Sequence, residues 1–299
     1  MPNDFLDNLQ LYQQEADSRL ASFFDQRQTS SVESLDDVSA LEDFVLRKSK
    51  RLRGYLCCLG YRLFDDSLPE EVINFSLGFE LGHAGLLIQD DIFDQGRLRR
   101  GQKAFHLTQG IKRSILLSNI LVNYSCQAFL QAKLDSQLKV KALKYLNRQA
   151  IMTGMGELLD LDLASSDKVS LEKVRSISEL KTASYTTKAP LVMGAILAGS
   201  KRKEQQELEV IAARLGILFQ ALDDYLDYFG NSQELGKDTG SDQKLQKQSY
   251  VASLEASQIE FQQSIAAEKD DIEAMIKKTA WPLKDELLAL LNYLIKRKT

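Results

Sequence analysis

Apolar residues recur along the chain at intervals of three and four, and no stretch of any length alternates as a strand does. Leu171, Val174, Ile177 and Ser178, followed by Lys181, mark one face of a helix that Ser170 opens as N-cap. Ser67, Leu68, Pro69 and Glu70 read as a capping box with proline in the first turn. From there to Gln95 only scattered glycines interrupt, so the spacing predicts one helix of about 28 residues, roughly 42 Å long. Connections are predicted at 28–39, 96–104, 164–170, 199–205 and 230–248. No serine–glycine linker, low-complexity tract or internal repeat breaks the pattern. An all-α fold, one domain over residues 1–299, is the expectation.

Composition supports this reading. Of 299 residues, 44% are hydrophobic and only 16 are Gly and 4 Pro, which excludes disordered and collagen-like chains and disfavours a turn-rich β protein. The net charge of −4 provides no basic field for nucleic acid. Cys57, Cys58 and Cys126 lack the spacing of a zinc site and read as buried helix-face thiols. Met1-Pro2-Asn3-Asp4 has neither the basic start nor the apolar run of a signal peptide. The most apolar stretch, 114–130, is broken by Asn119, Asn123 and Gln127 and falls short of the about 20 apolar residues of a membrane span. A cytoplasmic protein without stable membrane insertion is expected.

Two segments carry the chemistry. Asp90-Asp91-Ile92-Phe93-Asp94 follows one apolar run, and Asp223-Asp224-Tyr225-Leu226-Asp227 follows another. With 24 aspartates in the chain, chance supplies about 0.15 such triplets; there are two. On a helix Asp90 stacks over Asp94 and Asp223 over Asp227, while Asp91 and Asp224 turn aside. Like charges one turn apart oppose the helix, and a hard cation would reverse that cost. Basic residues crowd nearby: Arg97, Arg99, Arg100 and Lys103 after the first triplet, Lys237 and Lys247 after the second, and Lys48, Lys50, Arg51 and Arg53 earlier. Carboxylates interleaved with Lys and Arg suit Mg²⁺ bound together with a diphosphate.

Rival readings lack ligands. Glu80 and His83 make one Glu-x-x-His, but a di-iron site needs two such motifs and His106 stands in none. Residues 160–172 have the end spacing of a calcium loop, with Ser165 where the turn glycine belongs. No Gly-rich loop ends in Lys-Ser or Lys-Thr, so no P-loop is present.

From about Leu41 onward the chain resembles the trans-type isoprenyl diphosphate synthases of the polyprenyl synthetase family. The run from Glu80 to Asp94, closed by Leu98-Arg99-Arg100-Gly101, is similar to that family's first aspartate-rich region. Phe219-Gln220-Ala221-Leu222-Asp223-Asp224-Tyr225-Leu226-Asp227, with Gly236-Lys237 and Gly240-Ser241-Asp242, is similar to the second, and Lys181-Thr182-Ala183-Ser184 to the motif between them. The resemblance implies a helical bundle with a deep central cavity, the two acidic clusters facing each other at its mouth. It implies a homodimer and a reaction in which an allylic diphosphate ionises and is attacked by isopentenyl diphosphate, the product five carbons longer after proton loss.

Carried over by position, Asp90 and Asp94 would hold Mg²⁺ from one wall and Asp223 with Asp227 from the other, with Asp91 and Asp224 counted among the catalytic acids. Arg99, Lys181, Lys237 and Lys247 would bind the allylic diphosphate. Lys50, Arg53, His83 and Arg100 would bind isopentenyl diphosphate, which in this family needs no metal. Thr182 and Gln220 would turn oxygen dipoles toward the reacting carbons. Residues five, eight and eleven places before Asp90 would form the tunnel floor: Gly85, Gly82 and Phe79. Two glycines leave it open and Phe79 closes it about 16 Å back, implying geranylgeranyl diphosphate or a somewhat longer product. Close helix packing is the other reading of those glycines.

The chain departs from the family at Lys48-Ser49 for Gly-Gly, Gly54 for Pro, Gln89 for His, Glu157 for Gln and Gln246 for Gly. All six acids of the two clusters remain. A terpene cyclase, the nearest rival activity, usually replaces the second cluster, and a non-catalytic partner subunit loses the acids.

Overall fold

Phe5, Leu9, Tyr12, Ala16, Leu20 and Phe24 lie three or four residues apart and are buried, which gives the first helix, α1 (Phe5–Gln28), its apolar stripe. The structure is a computed structural model and describes residues 5–28, 34–163, 170–229 and 258–296. Its helices form two compact units.

The first unit contains α1, α2 (Leu35–Leu46), α3 (Leu52–Arg62) as far as Cys58, α4 (Glu70–Phe93), α5 (Phe105–Gln109) and α6 (Ile111–Gln131). Helix α4 is the long element the sequence predicts, four residues shorter than expected. The capping box at its start does not form. Pro69 is the N-cap, and the Ser67 hydroxyl instead donates to Asp65 Oδ1 at 2.7 Å, closing a local turn. Buried residues on α6, among them Ser118, Leu121 and Phe129, pack against α4 where Gly78 and Gly85 provide room. A Cβ at Gly85 would lie 2.8 Å from the Ser118 carbonyl oxygen.

A short antiparallel hairpin, β1 (Leu98–Arg99) with β2 (Gln102–Lys103), follows α4. It corrects the expectation of a plain connection there. Arg100 and Gly101 form its turn at φ 54 and 73, the left-handed pair that tight hairpins require.

The second unit contains the end of α3 from Leu59, then α7 (Ser136–Leu163), α8 (Leu171–Ser178), a π-helix (Glu179–Lys188), α9 (Ala189–Leu197), α10 (Arg202–Phe229), α11 (Gln258–Lys278) and α12 (Lys284–Lys296). Ser170 caps α8 as expected, its hydroxyl oxygen accepting from the Lys173 N–H at 3.3 Å. Val174, Ile177 and Ser178 are the buried face. Lys181 then lies on the π-helix, so the α-helical spacing that placed it on the same face stops at Ser178.

Two features explain the widened turn. Pro190, in the first turn of α9, has no N–H to donate backward. Side chains also bond to backbone carbonyls: Ser184 Oγ donates to Glu179 O, five residues back, at 3.1 Å, and Thr187 Oγ1 donates to Ala183 O at 3.1 Å and to Ala212 O on α10 at 2.7 Å. Neighbouring helices approach the π-helix through glycines, and a Cβ on Gly156 or Gly216 would lie 2.5 or 2.4 Å from its backbone. Among the described residues no helix is long and apolar enough to cross a membrane.

Candidate active site

Two adjacent elements end the first unit's acidic segment. Asp90 and Asp94 stand one turn apart at the end of α4, where Asp94 is the C-cap and its N–H donates to Asp90 O at 2.8 Å. Both are partly exposed. Asp91 points the other way and is 1% exposed. Its carboxylate accepts from Arg99 Nε at 3.0 and 3.1 Å and from Arg99 Nη2. The hairpin absent from the sequence reading makes this possible, because it folds Arg99 back to the end of α4. Burial works against the Arg99 charge, and the bond to Asp91 outweighs it and raises the guanidinium's affinity for its proton. Asp91 therefore holds Arg99 in place.

A second set of cations gathers at the C-terminal end of α2. The last carbonyls of a helix carry partial negative charge and lack intrahelical donors. Arg51 Nη2 donates to Val45 O at 2.7 Å, and Arg100 Nη1 donates to Phe44 O at 3.2 Å and Val45 O at 3.3 Å. Arg51 is fully buried with a left-handed backbone, φ 49. Its Nε donates to Asp17 Oδ1 at 2.7 Å, and its Nη1 lies 3.8 Å from Glu80 Oε2. Glu80 Oε1 accepts from the Gly54 N–H at 2.9 Å.

Gly54 is thus more than a gap in the family pattern: a proline there would have no N–H for Glu80. A Cβ at this position would lie 1.9 Å from the Tyr12 hydroxyl, whose oxygen is 2.6 Å from Ser76 Oγ. Sequence reasoning noted Arg51 only as one of several basic residues and gave Glu80 no role. The signal was there in part: Arg51 sits between Lys50 and Arg53, and Glu80 one turn before His83.

The electrostatics of this cluster call for an anion. Burial first, then Arg53, Arg100, Arg99 and Arg51, hold the His83 imidazole well below its ordinary range, so it is neutral and can donate one N–H. Burial and then the proximity of Arg51, only partly offset by Glu80, lower Arg100 to about 10. An arginine destabilised by its neighbours marks a surplus of positive charge. Buried donors also await a partner. The Ser49 hydroxyl and Arg51 Nη1 have no hydrogen-bond partner among the described residues, and such atoms cost free energy unless a ligand or water meets them.

In the second unit, Lys181 Nζ lies 2.7 Å from Asp160 Oδ2 and 2.8 Å from Glu157 Oε2. Burial opposes its charge, and Asp160 and Glu157 more than reverse that, raising its proton affinity. Beside it, Thr182 Oγ1 donates to Gln220 Oε1 at 2.5 Å, and Gln220 Nε2 donates to Asp224 Oδ1 at 2.6 Å. Asp224 fixes which end of the amide faces Thr182. Like Asp91, it orients a neighbour. Asp223 is partly exposed, whereas Asp227 is buried, so the stacked pair of the sequence reading is unequal in access.

Oxygen donors on accessible carboxylates suit Mg²⁺. Among the described residues no group of three His, Cys, Asp or Glu side chains is arranged to hold a metal. Lys237 and Lys247 lie outside the described residues. Phe79 is fully buried on α4 with its ring 5.2 Å from Phe129 of α6. Gly85 faces the α6 backbone, and Gly82 is buried on the same helix.

The chain is 30% identical over 213 residues to a short chain isoprenyl diphosphate synthase of Methanocaldococcus jannaschii, covering 71% of this chain and 64% of that one. It is 30% identical over 225 residues to geranylgeranyl pyrophosphate synthase 4 of Arabidopsis thaliana, covering 73% and 60%. The matches thus span less than two thirds of those relatives' lengths. A geranyltransferase from Helicobacter pylori, solved with magnesium and isoprenyl diphosphate, superposes with a TM-score of 0.81 at 27% identity, over 97% of this chain and 98% of that one. The geranylgeranyl pyrophosphate synthase of Corynebacterium glutamicum, TM-score 0.88 at 23% identity over 96% and 98%, shares the all-α fold. A family model described as polyprenyl synthetase matches residues 38–281, and with the aspartate clusters and their basic neighbours in place, the chain belongs to the polyprenyl synthetase family.

Proposed function

We propose that the protein is a trans-prenyltransferase that joins an allylic diphosphate to isopentenyl diphosphate. The observation that carries this reading is the gathering of Arg51 and Arg100 at the C-terminal end of α2, with Arg53 and a neutral His83 beside them. A polyanion would add to what holds such a cluster together.

In this reading Lys50, Arg53, His83 and Arg100 receive the diphosphate of isopentenyl diphosphate, with Arg51 and Glu80 fixing the segment that carries them. Arg99, held by Asp91, and Lys181 receive the allylic diphosphate. Asp90, Asp94 and Asp223, with Asp227 behind it, hold Mg²⁺. The metal supplies neutralisation of the charge that grows on the diphosphate as its C–O bond breaks. Arg99 and Lys181 share that work from fixed positions, so no reorganisation is needed when the bonding pair leaves with the diphosphate. Thr182, whose proton is committed to Gln220, presents oxygen lone pairs to the allylic cation. The isopentenyl double bond then attacks, and loss of a proton completes the chain.

The product is geranylgeranyl diphosphate or somewhat longer, with Phe79 and Phe129 as floor. A homodimer in the cytoplasm is the proposed form. The exposed face of α6 supports the dimer, because Ile111, Ile115, Leu116, Ile120 and Leu130 lie there in the open, an apolar surface that monomers rarely leave uncovered.

Mass analysis of products from dimethylallyl, geranyl and farnesyl diphosphates, each with isopentenyl diphosphate and Mg²⁺, tests the activity. A twenty-carbon or longer diphosphate is expected, and Phe79→Ala should lengthen it. Product formed from geranyl diphosphate alone would instead indicate a cyclase, and no turnover by the purified chain a subunit that needs a partner.

A further inference from the structure

Lys181 is held by more negative charge than its own neutralisation needs. Asp160 and Glu157 stand three residues apart on one face of α7, and both reach its Nζ, at 2.7 and 2.8 Å. The backbone enforces this. A Cβ at Gly156 would lie 2.5 Å from Lys181 N, so any side chain there would push α7 away from the π-helix and open the clamp. An ammonium has three N–H donors. Two are taken by carboxylates, which leaves one for a phosphate oxygen. Asp160 alone would neutralise Lys181; Glu157 turns the trio into a net anion. All three side chains are mostly buried, so their charges are weakly screened.

We propose that Glu157 sets the affinity of the Lys181 site for diphosphate. Its charge weakens the hold on the anion, so binding there depends on Mg²⁺ and the released diphosphate departs readily. This rests on the assignment of Lys181 to the allylic diphosphate. Glu157→Gln keeps the size of the side chain and an oxygen that can accept from Lys181, and removes only the charge.

The test is calorimetric titration of inorganic diphosphate, in magnesium chloride, into the wild-type protein, Glu157→Gln and Lys181→Gln. Glu157→Gln should tighten binding about tenfold, a gain that shrinks as salt is raised, and Lys181→Gln should weaken it. In steady-state assays Glu157→Gln should lower KM for the allylic substrate and leave KM for isopentenyl diphosphate unchanged, a split that a loss of packing would not produce. Unchanged or weaker binding by Glu157→Gln, while Lys181→Gln still weakens it, overturns the proposal and leaves Glu157 a mere orienting group. If Lys181→Gln binds as tightly as wild type, the assignment of Lys181 itself is wrong.

Discussion

His83 shows how one residue reports the field around it. Its imidazole is held well below the ordinary value by burial and by four arginines, so the folded protein stays unprotonated there while the unfolded chain titrates near 6.5. Above that pH both states are neutral and the contribution to stability is fully present. As pH falls below about 6.5 the unfolded chain takes up a proton that the folded one refuses, and stability declines toward the folded value. Urea unfolding at pH 7.5 and 5.5 should therefore show a loss in wild type that His83→Gln reduces by up to about 1.4 kcal/mol per pH unit. Equal losses in the two proteins would contradict the burial of a neutral imidazole. Arg51 makes a second case. Arg51→Met removes the buried cation that faces Asp17 and Glu80, and should lower stability by about 3 kcal/mol. Adding Glu80→Gln should restore part of it, as measured by the same unfolding curves. The acids were legible in the sequence because their spacing repeats against chance. The burial of Arg51 was not, since nothing in a linear basic run says which member folds inward onto Asp17 and Val45.

At the scale of elements, periodicity located the long helices, and chemistry at their ends decided what periodicity could not. Two serines read alike as N-caps. Ser170 is one, whereas Ser67 bonds to Asp65 ahead of a helix that starts at Pro69. Ser170→Ala should cost about 1 kcal/mol of stability, and Ser67→Ala should leave α4 unchanged in length and cost no helix cap. Thermal unfolding of the two variants separates them. The π-helix escaped notice because its signature is a widened turn without a composition of its own. Thr187, Ser184 and Pro190 mark it only once the carbonyls they answer are known. The hairpin was missed for a similar reason: each strand has two residues, too few for alternation to show. Gly85 lies close to the α6 backbone, so Gly85→Phe should disrupt the α4–α6 packing, costing about 3 kcal/mol or more.

At the scale of the whole molecule the all-α character was set by a chain poor in proline and free of alternating strands, and the family followed from residues that carry charge. Neither required knowledge of packing. The exposed apolar face of α6 is different, because it appears only when the helix's other side is seen to be buried. The proposed function rests on the cations that the first unit gathers around His83. The direct measurement is calorimetric binding of isopentenyl diphosphate without metal, to wild type and to Arg100→Gln. Magnesium-free binding to the wild-type protein, weakened at least about tenfold by the substitution, is the predicted result. No binding to wild type, or equal binding to both, would contradict it.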